Sequence, residues 1–171
     1  MEALWKAATW HQFGAAIDML ENPIVACPDE LWDDSSEEPG SQFWYVAHHA
    51  LSCLDLYLSG SLEGFAPPPP FTPEEVDTAE PARPYTRDEL LTYLDYCRRK
   101  CRATIEALTE ESAARPCTFP WTELRFSFAE LLLYNLRHVQ EHAAQLSLIL
   151  GRRTGWETGW VSRPGRPRSA T

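Results

Sequence analysis

The segment from Asp88 to Leu108, DELLTYLDYCRRKCRATIEAL, constrains the fold of this chain most strongly. Its apolar side chains recur every three to four residues, which is the period of an amphipathic helix. They are Leu90, Leu91, Leu94, Cys97, Cys101, Ile105 and Leu108. Thr86 and Glu89 form a Thr-x-x-Glu capping box at which this helix is predicted to begin. The basic side chains of the segment are predicted to point outward: Arg98, Arg99, Lys100 and Arg102.

Three further segments are predicted to be helices. The first runs from Glu2 to about Leu20. The second, from Ser41 to about Leu58, is apolar nearly all round, as a central bundle helix would be, and Gly60 is placed to end it. The last opens with a Ser-x-x-Glu capping box and runs from Ser127 to about Leu150, where Gly151 is predicted to stop it. No segment shows the period-two alternation of a strand, so we predict an all-α fold, a four-helix bundle with long connections between helices.

The connections and the C-terminal tail are rich in proline and glycine. Residues 21–40 are punctuated by proline and carry an acidic run, which we interpret as a solvated loop. Residues 61–85 contain four consecutive prolines, which favour an extended connection, and long loops of this kind often cover a site. We place the domain at 1–155 and a partly disordered tail at 156–171, with Trp156 and Trp160 predicted to fold back onto the bundle.

Charge and composition exclude several classes of function. The net charge of −10 argues against a nucleic acid as partner, because an acidic surface repels phosphate. No apolar run approaches the roughly 20 residues that cross a bilayer, and the N-terminus lacks a signal-peptide pattern, so we expect no membrane and a cytoplasmic location. The five cysteines are scattered and odd in number, which argues against a disulfide framework and predicts buried free thiols.

Four of the five histidines fall into two clusters. His48 and His49 lie in the second predicted helix, and His138 and His142 lie one turn apart in the last. An i, i+4 pair places both imidazoles on one side of a helix, which suits two ligands of one divalent ion. The stripe that contains this pair is largely apolar and should face inward: Leu131, Asn135, His138, His142, Gln145 and Ile149. A metal ion or ordinary hydrogen bonds would each satisfy the buried imidazoles, so both interpretations stay open here.

The stretches FWYVAHHALSCLDLYL and LRHVQEHAAQLSLIL together resemble the DinB-like superfamily, which includes the bacillithiol S-transferase type of enzyme. The resemblance implies a four-helix bundle that holds a divalent metal through one histidine of the second helix and a His-x-x-x-His pair of the fourth. In this chain the family's histidine pair corresponds to His138 and His142, and the glutamine that often follows the pair corresponds to Gln145. The third ligand is His49 or His48, and His49 is preferred because the second of two adjacent histidines usually aligns with the ligand.

The resemblance implies a metalloenzyme. No acidic residue stands out as a fourth ligand, and three protein ligands with an open position are typical of catalytic zinc sites. Zinc or nickel is expected, with manganese or iron as alternatives, because all four suit imidazole. The ion would activate a low-molecular-weight thiol for S-transfer, or a water molecule that hydrolyses a small amide or ester. No thiol-binding signature of the family is found, so the small-molecule substrate stays unassigned.

Several polar residues are candidates for assisting this chemistry: Asp55, Tyr57, Asn135, Glu141 and Gln145. Asp55 lies off the stripe that carries His49, so a helix cap or a surface hydrogen bond is an equal expectation for it. Glu141 faces away from His142 and is expected to be solvated. His11, in the first helix, is predicted to lie outside the site.

Two other interpretations compete with the enzyme. In one, the chain is a non-catalytic metal-binding or stress-related helix-bundle interaction protein, and its aromatic residues pack a core and a homodimer interface. In the other, His138 and His142 are core histidines that bind no metal. The enzyme and the non-catalytic metal-binding protein differ in how the metal is coordinated, because a structural site should be closed by a fourth protein ligand. A homodimer is predicted for either.

Overall fold

The fold is a bundle of four long helices. A computed structural model describes residues 2–34, 40–76, 81–122 and 125–165 of the chain. Its helices are α1 (Glu2–Ala26), α2 (Asp29–Trp32), α3 (Phe43–Ser59), α4 (Arg87–Ala107), α5 (Glu110–Ala114) and α6 (Phe128–Thr154). One 3-10 turn spans Pro73–Val76, and the two-residue strands β1 (Pro116–Cys117) and β2 (Phe126–Ser127) pair in antiparallel fashion. The predicted all-α class and its four main helices are confirmed, whereas the short helices α2 and α5 and the β1–β2 pair were not predicted from the sequence.

The direction of each helix follows from its side-chain contacts. α1 and α4 are antiparallel, since Lys6 near the start of α1 donates to the carbonyl of Glu106 near the end of α4. α3 and α4 are parallel, because Cys97 donates to the carbonyl of Leu51 and Lys100 reaches Ser59 further along. Two parallel neighbours cannot be joined by a tight turn. The proline-rich connection at 61–86 is therefore the crossover that returns the chain to the other end of the bundle.

The core is continuous from end to end of the bundle. Each long helix contributes fully buried side chains, among them Phe13, Ile17, Leu20, Leu51, Leu54, Leu90, Leu94, Leu131 and Leu146. All five cysteines are free and buried, as predicted. None of the described helices combines the length with the apolar character that a bilayer crossing requires.

Local signals fix several helix ends. Thr86 and Glu89 form both arms of the predicted capping box, and the Ser127 hydroxyl accepts from the amide of Glu130 at the start of α6. Gly60 ends α3 in the left-handed conformation, with its amide bonded to the carbonyl of Leu56. The predicted stop at Gly151 is wrong, because α6 continues to Thr154 and its C-cap is Gly155.

The predicted end of the first helix near Leu20 is also wrong. α1 continues through Pro23 to Ala26. Proline removes one backbone hydrogen bond from a helix interior. Ile24, in the extra turn, is fully buried in the core, and this burial offsets the lost bond.

The C-terminal segment folds back on α1. The amide of Gly165 donates to Asp18 at 2.7 Å, and Pro164 packs so closely over Gly14 that a β-carbon there would lie 2.9 Å from the proline ring. Trp156 packs against the core as predicted, but Trp160 is 77% exposed, so that half of the prediction is wrong. Residues 166–171, the rest of the predicted disordered tail, lie outside the described residues.

Replacing Gly60 by alanine should destabilise the bundle. Its φ is +75°, and an added β-carbon would lie 3.2 Å from both Cys117 Sγ and a ring carbon of Phe128. We expect Gly60→Ala to lower the free energy of unfolding by about 2–3 kcal/mol. Gly64→Ala is the matched control, because φ is +73° but no described atom lies within 4 Å of the added carbon, so its loss should be about 1 kcal/mol. Equal losses in urea titrations would show that the close contacts at Gly60 do not matter.

Candidate metal centre

Two helices place four potential metal ligands opposite one another. α3 presents His49 and Cys53, and α6 presents His138 and His142. Residues four apart lie on the same side of a helix, so each helix offers a pair of donors one turn apart. α3 and α6 are antiparallel neighbours, because Tyr57 late in α3 packs on Tyr134 early in α6, whereas His49 earlier in α3 meets His142 later in α6. The two pairs therefore meet at the same level of the bundle.

The three predicted histidines lie close together. The ring centroid of His49 lies 5.2 Å from that of His138 and 4.9 Å from that of His142. The Nε2 atoms of His138 and His142 are 3.1 Å apart. Two imidazole nitrogens bound to one tetrahedral zinc ion lie about 3.3 Å apart, given a bond length of about 2.0–2.1 Å. The spacing of this pair is thus compatible with a shared ion.

Cys53 also belongs to this cluster, and the sequence analysis missed it. Its Sγ lies 3.8 Å from Nε2 and 3.9 Å from Nδ1 of His49. Among the described residues, the group of three donors whose ligand atoms all lie within 4.8 Å of one another is His49, Cys53 and His138. The available signal was the spacing, because His49-x-x-x-Cys53 repeats the spacing of His138-x-x-x-His142. Cys53 was instead counted only as a buried apolar residue.

His48 faces a different part of the molecule. Its Nε2 lies 3.2 Å from Oε2 of Glu75 and 3.1 Å from Oγ of Ser52, and its ring stacks on Phe71. Tyr85 donates its hydroxyl proton to the other oxygen of Glu75 at 2.7 Å. Adjacent helix positions point about 100° apart, so His48 and His49 cannot face the same partner. Phe71, Glu75 and Tyr85 of the crossover connection contact His48, whereas His49 contacts the histidine pair of α6.

Burial keeps the imidazoles of His49 and His138 neutral. Burial, together with the neighbouring His142 and His49, lowers the pKa of His138 to about 3. Burial and the nearby His142 and His48 lower the pKa of His49 to about 4, although its side chain is exposed on one side. Burial raises the pKa of Cys53 to about 12, opposed by a hydrogen bond with Tyr57. Neutral imidazole is the form that binds metals.

The donor set fits a divalent cation. Nδ1 of His138 is buried and has no hydrogen-bond partner among the described residues. A buried polar atom without a partner is costly, and an ion would remove that cost only if Nδ1, rather than the Nε2 that faces His142, were the ligand atom of His138. Gln145 Oε1 lies 3.0 Å from Nδ1 of His142, so it can accept that proton and leave Nε2 free as the ligand atom. Imidazole nitrogens and a thiol suit zinc and its neighbours in the transition series.

Aromatic side chains line one side of the cluster. The ring of Tyr57 meets that of His138 edge-on at 5.8 Å, and Phe119 and Tyr134 pack on Tyr57 at 5.4 and 5.5 Å. Trp121 stacks on Phe119 at 5.3 Å and is 43% exposed. The imidazoles are thus connected to the surface by a continuous apolar wall.

Asp55 and Lys100 depart from the predictions. Asp55 is fully buried, where it pairs with Lys100 and accepts a hydrogen bond from the Tyr93 hydroxyl at 2.9 Å. The expectation of a surface hydrogen bond for Asp55 is therefore wrong, and so is the predicted outward position of Lys100. Arg98 also turns inward, toward Asp18 and Glu21 on α1.

The other polar candidates are placed as follows. Asn135 is fully buried and holds α6 to α3 through the carbonyl of Leu54. Glu141 is exposed, in agreement with the solvated role expected of it.

The chain was compared with protein families, with curated proteins and with solved structures. A family model described as the DinB superfamily matches residues 12–146. The matched span contains α3, most of α6 and all four potential ligands of the candidate metal centre. A search of curated proteins and a search of solved structures produced no match.

Proposed function

The chain belongs to the DinB superfamily, and on this premise we propose that it is a divalent-metal-dependent enzyme whose ion is held by His49, His138 and His142. Its reaction is thiol S-transfer or the hydrolysis of a small molecule. The observation that supports this proposal is the clustering of three imidazoles from two helices, whose ring centroids lie 4.4–5.2 Å from one another. Zinc or nickel suits these ligands best, with manganese or iron as alternatives.

The side chains of the cluster have separable roles. A divalent cation, when bound, supplies a Lewis acid that lowers the pKa of a thiol or a water molecule beside it. The lowered pKa of His138 keeps its ring unprotonated at neutral pH and able to act as a ligand. Gln145 fixes the tautomer and orientation of His142 through Nδ1. Exposure of His49 on one side gives a small molecule a route to the cluster.

The aromatic wall supports a substrate with an apolar body. Tyr57, Phe119 and Trp121 extend from His138 toward the surface, and Tyr134 is 36% exposed beside them. Flat apolar surfaces of this kind bind organic groups by stacking and desolvation. We propose that the substrate is a small organic molecule, a low-molecular-weight thiol and its electrophile in the S-transfer case.

We also propose a homodimer. Large apolar side chains stay exposed on the long helices, namely Leu4, Trp5, Leu133 and Leu148. Burial of such side chains against a second copy would remove apolar surface from water.

Elemental analysis of the protein as isolated tests the proposal. We expect about one divalent ion per chain in the wild type and a near-complete loss in His138→Ala, because removing a protein ligand weakens binding sharply. His48→Gln is the matched control, since His48 neighbours His49 in sequence but contacts Glu75. Far-UV circular dichroism would establish that each variant is folded. Wild-type protein without stoichiometric metal would favour the interpretation of metal-free core histidines.

A specific observation favours a second candidate function. The sulfur of Cys53 lies within 4.8 Å of ligand atoms of His49 and His138, and a fourth protein ligand would close a tetrahedral site. A closed site is typical of a structural metal, so the chain would be a non-catalytic metal-binding protein unless a substrate bound as a fifth ligand or displaced one of the four. Thiol-transfer assays with a panel of small electrophiles separate the two. Turnover by metal-loaded wild type that is absent in His142→Ala supports the enzyme.

A further inference from the structure

We propose that Cys53 is itself a metal ligand, so that the ion is bound by three histidines and one thiolate. This inference rests on the proposed metal site and adds a residue to it. The helices then contribute equally, with His49 and Cys53 from α3 and His138 and His142 from α6. Each pair has the same four-residue spacing, and the two pairs face each other across one interface.

The distances from Cys53 to two of the histidines are compatible with a shared ion. With zinc–sulfur and zinc–nitrogen bonds of about 2.3 and 2.0–2.1 Å, tetrahedral geometry separates sulfur and nitrogen by about 3.6 Å. Cys53 Sγ lies 3.8 Å from Nε2 of His49, within a few tenths of an ångström of that value. Its distance to a ring nitrogen of His138 is at most 4.8 Å, which small rotamer changes can shorten.

The surroundings of Cys53 differ from those of other buried thiols in this chain. The thiols of Cys27, Cys97 and Cys117 each donate to a backbone carbonyl, at 3.5, 3.8 and 3.7 Å respectively. Such contacts are typical of cysteines that serve as small apolar residues. Cys53 instead faces the ring nitrogens of His49 and is hydrogen-bonded with Tyr57. Of the four thiols compared, Cys53 is the one whose sulfur faces imidazole nitrogens.

Coordination by Cys53 has chemical consequences. The Sγ–H bond breaks, the sulfur keeps the electron pair and binds the ion, and the proton passes to solvent. A set of three imidazoles and one thiolate favours zinc over manganese, because thiolate is a soft ligand. Four protein ligands close a tetrahedral ion, so a substrate would have to bind as a fifth ligand or displace the sulfur.

Cobalt(II) substitution of the full chain tests this inference. We expect the wild type to show the near-ultraviolet thiolate-to-cobalt charge-transfer band together with the visible bands of tetrahedral cobalt. Cys53→Ser should bind cobalt about 10-fold or more weakly and lack the charge-transfer band. Cys27→Ser is the control, since it removes a buried thiol that contacts Pro28, and it should keep the band.

The possible outcomes distinguish a failure of the Cys53 proposal from a failure of the three-histidine site. Stoichiometric cobalt without a thiolate band in the wild type would overturn the role of Cys53 and leave the histidine site intact. Failure of the wild type to bind cobalt or zinc at all would overturn both. X-ray absorption of the zinc-loaded wild type needs no variant, and a sulfur neighbour at about 2.3 Å supports the inference, whereas nitrogen and oxygen neighbours alone exclude it.

Discussion

Replacement of Lys100 by methionine is expected to lower the free energy of unfolding by about 3–5 kcal/mol. The ammonium of Lys100 pairs with Asp55, whose side chain is fully buried. Methionine keeps most of the apolar stem of lysine, so the change removes the positive charge and little packing. The carboxylate is then left buried opposite an uncharged side chain, and the Tyr93 hydroxyl is one of few groups left to stabilise it. Such a loss is a large part of the roughly 5–15 kcal/mol that stabilises a domain.

The control for this prediction is Arg99→Met. Arg99 pairs with Asp95 one turn earlier on α4, but the two side chains are 66% and 58% exposed. An exposed pair of this kind is worth less than about 1 kcal/mol, so urea titration should show little change. The double variant Asp55→Asn with Lys100→Met should recover much of the loss, since it removes both charges. A similar cost for Lys100→Met and Arg99→Met would contradict a buried ion pair between α3 and α4.

The four long helices could be predicted because the period of their apolar residues is visible in the sequence of each helix by itself. Thr86 with Glu89 and the glycine at position 60 act within one turn of a helix end, and they too were recognised. The end of α1 was not, because burial of Ile24 in tertiary contacts outweighs the local effect of Pro23. Periodicity describes a helix by itself and does not include what its neighbours contribute.

The candidate metal centre shows the same limit. Spacing alone indicated that His138 and His142 share a face, and the resemblance to a family supplied a partner on the second helix. α3 is buried nearly all round, so its sequence has no polar side from which to infer where Asp55 or Cys53 points. Asp55 faces α4 and Cys53 faces α6 only because α3 lies between these two helices. Such assignments depend on the packing of the bundle.

The metal-free protein should lose stability as the pH falls below about 6.5. The folded-state pKa of His138 is lowered to about 3, whereas an unfolded histidine titrates near 6.5. Between these values the unfolded chain binds a proton at this residue that the folded chain does not, so acid favours unfolding. His138 alone can contribute at most about 1.4 kcal/mol per pH unit, or about 2 kcal/mol between pH 6.5 and pH 5.

Urea titrations in the presence of a chelator at pH 7.5 and pH 5 measure this dependence. His138→Gln should lose less stability than the wild type over this range, by about 1–2 kcal/mol, because its side chain does not titrate. Leu148→Ala, an exposed change on the same helix, should follow the wild type. An equal loss in His138→Gln and wild type would mean that this imidazole does not resist protonation. Saturating zinc should shift the acid transition to lower pH, since the ion and the proton compete for the same ring nitrogens.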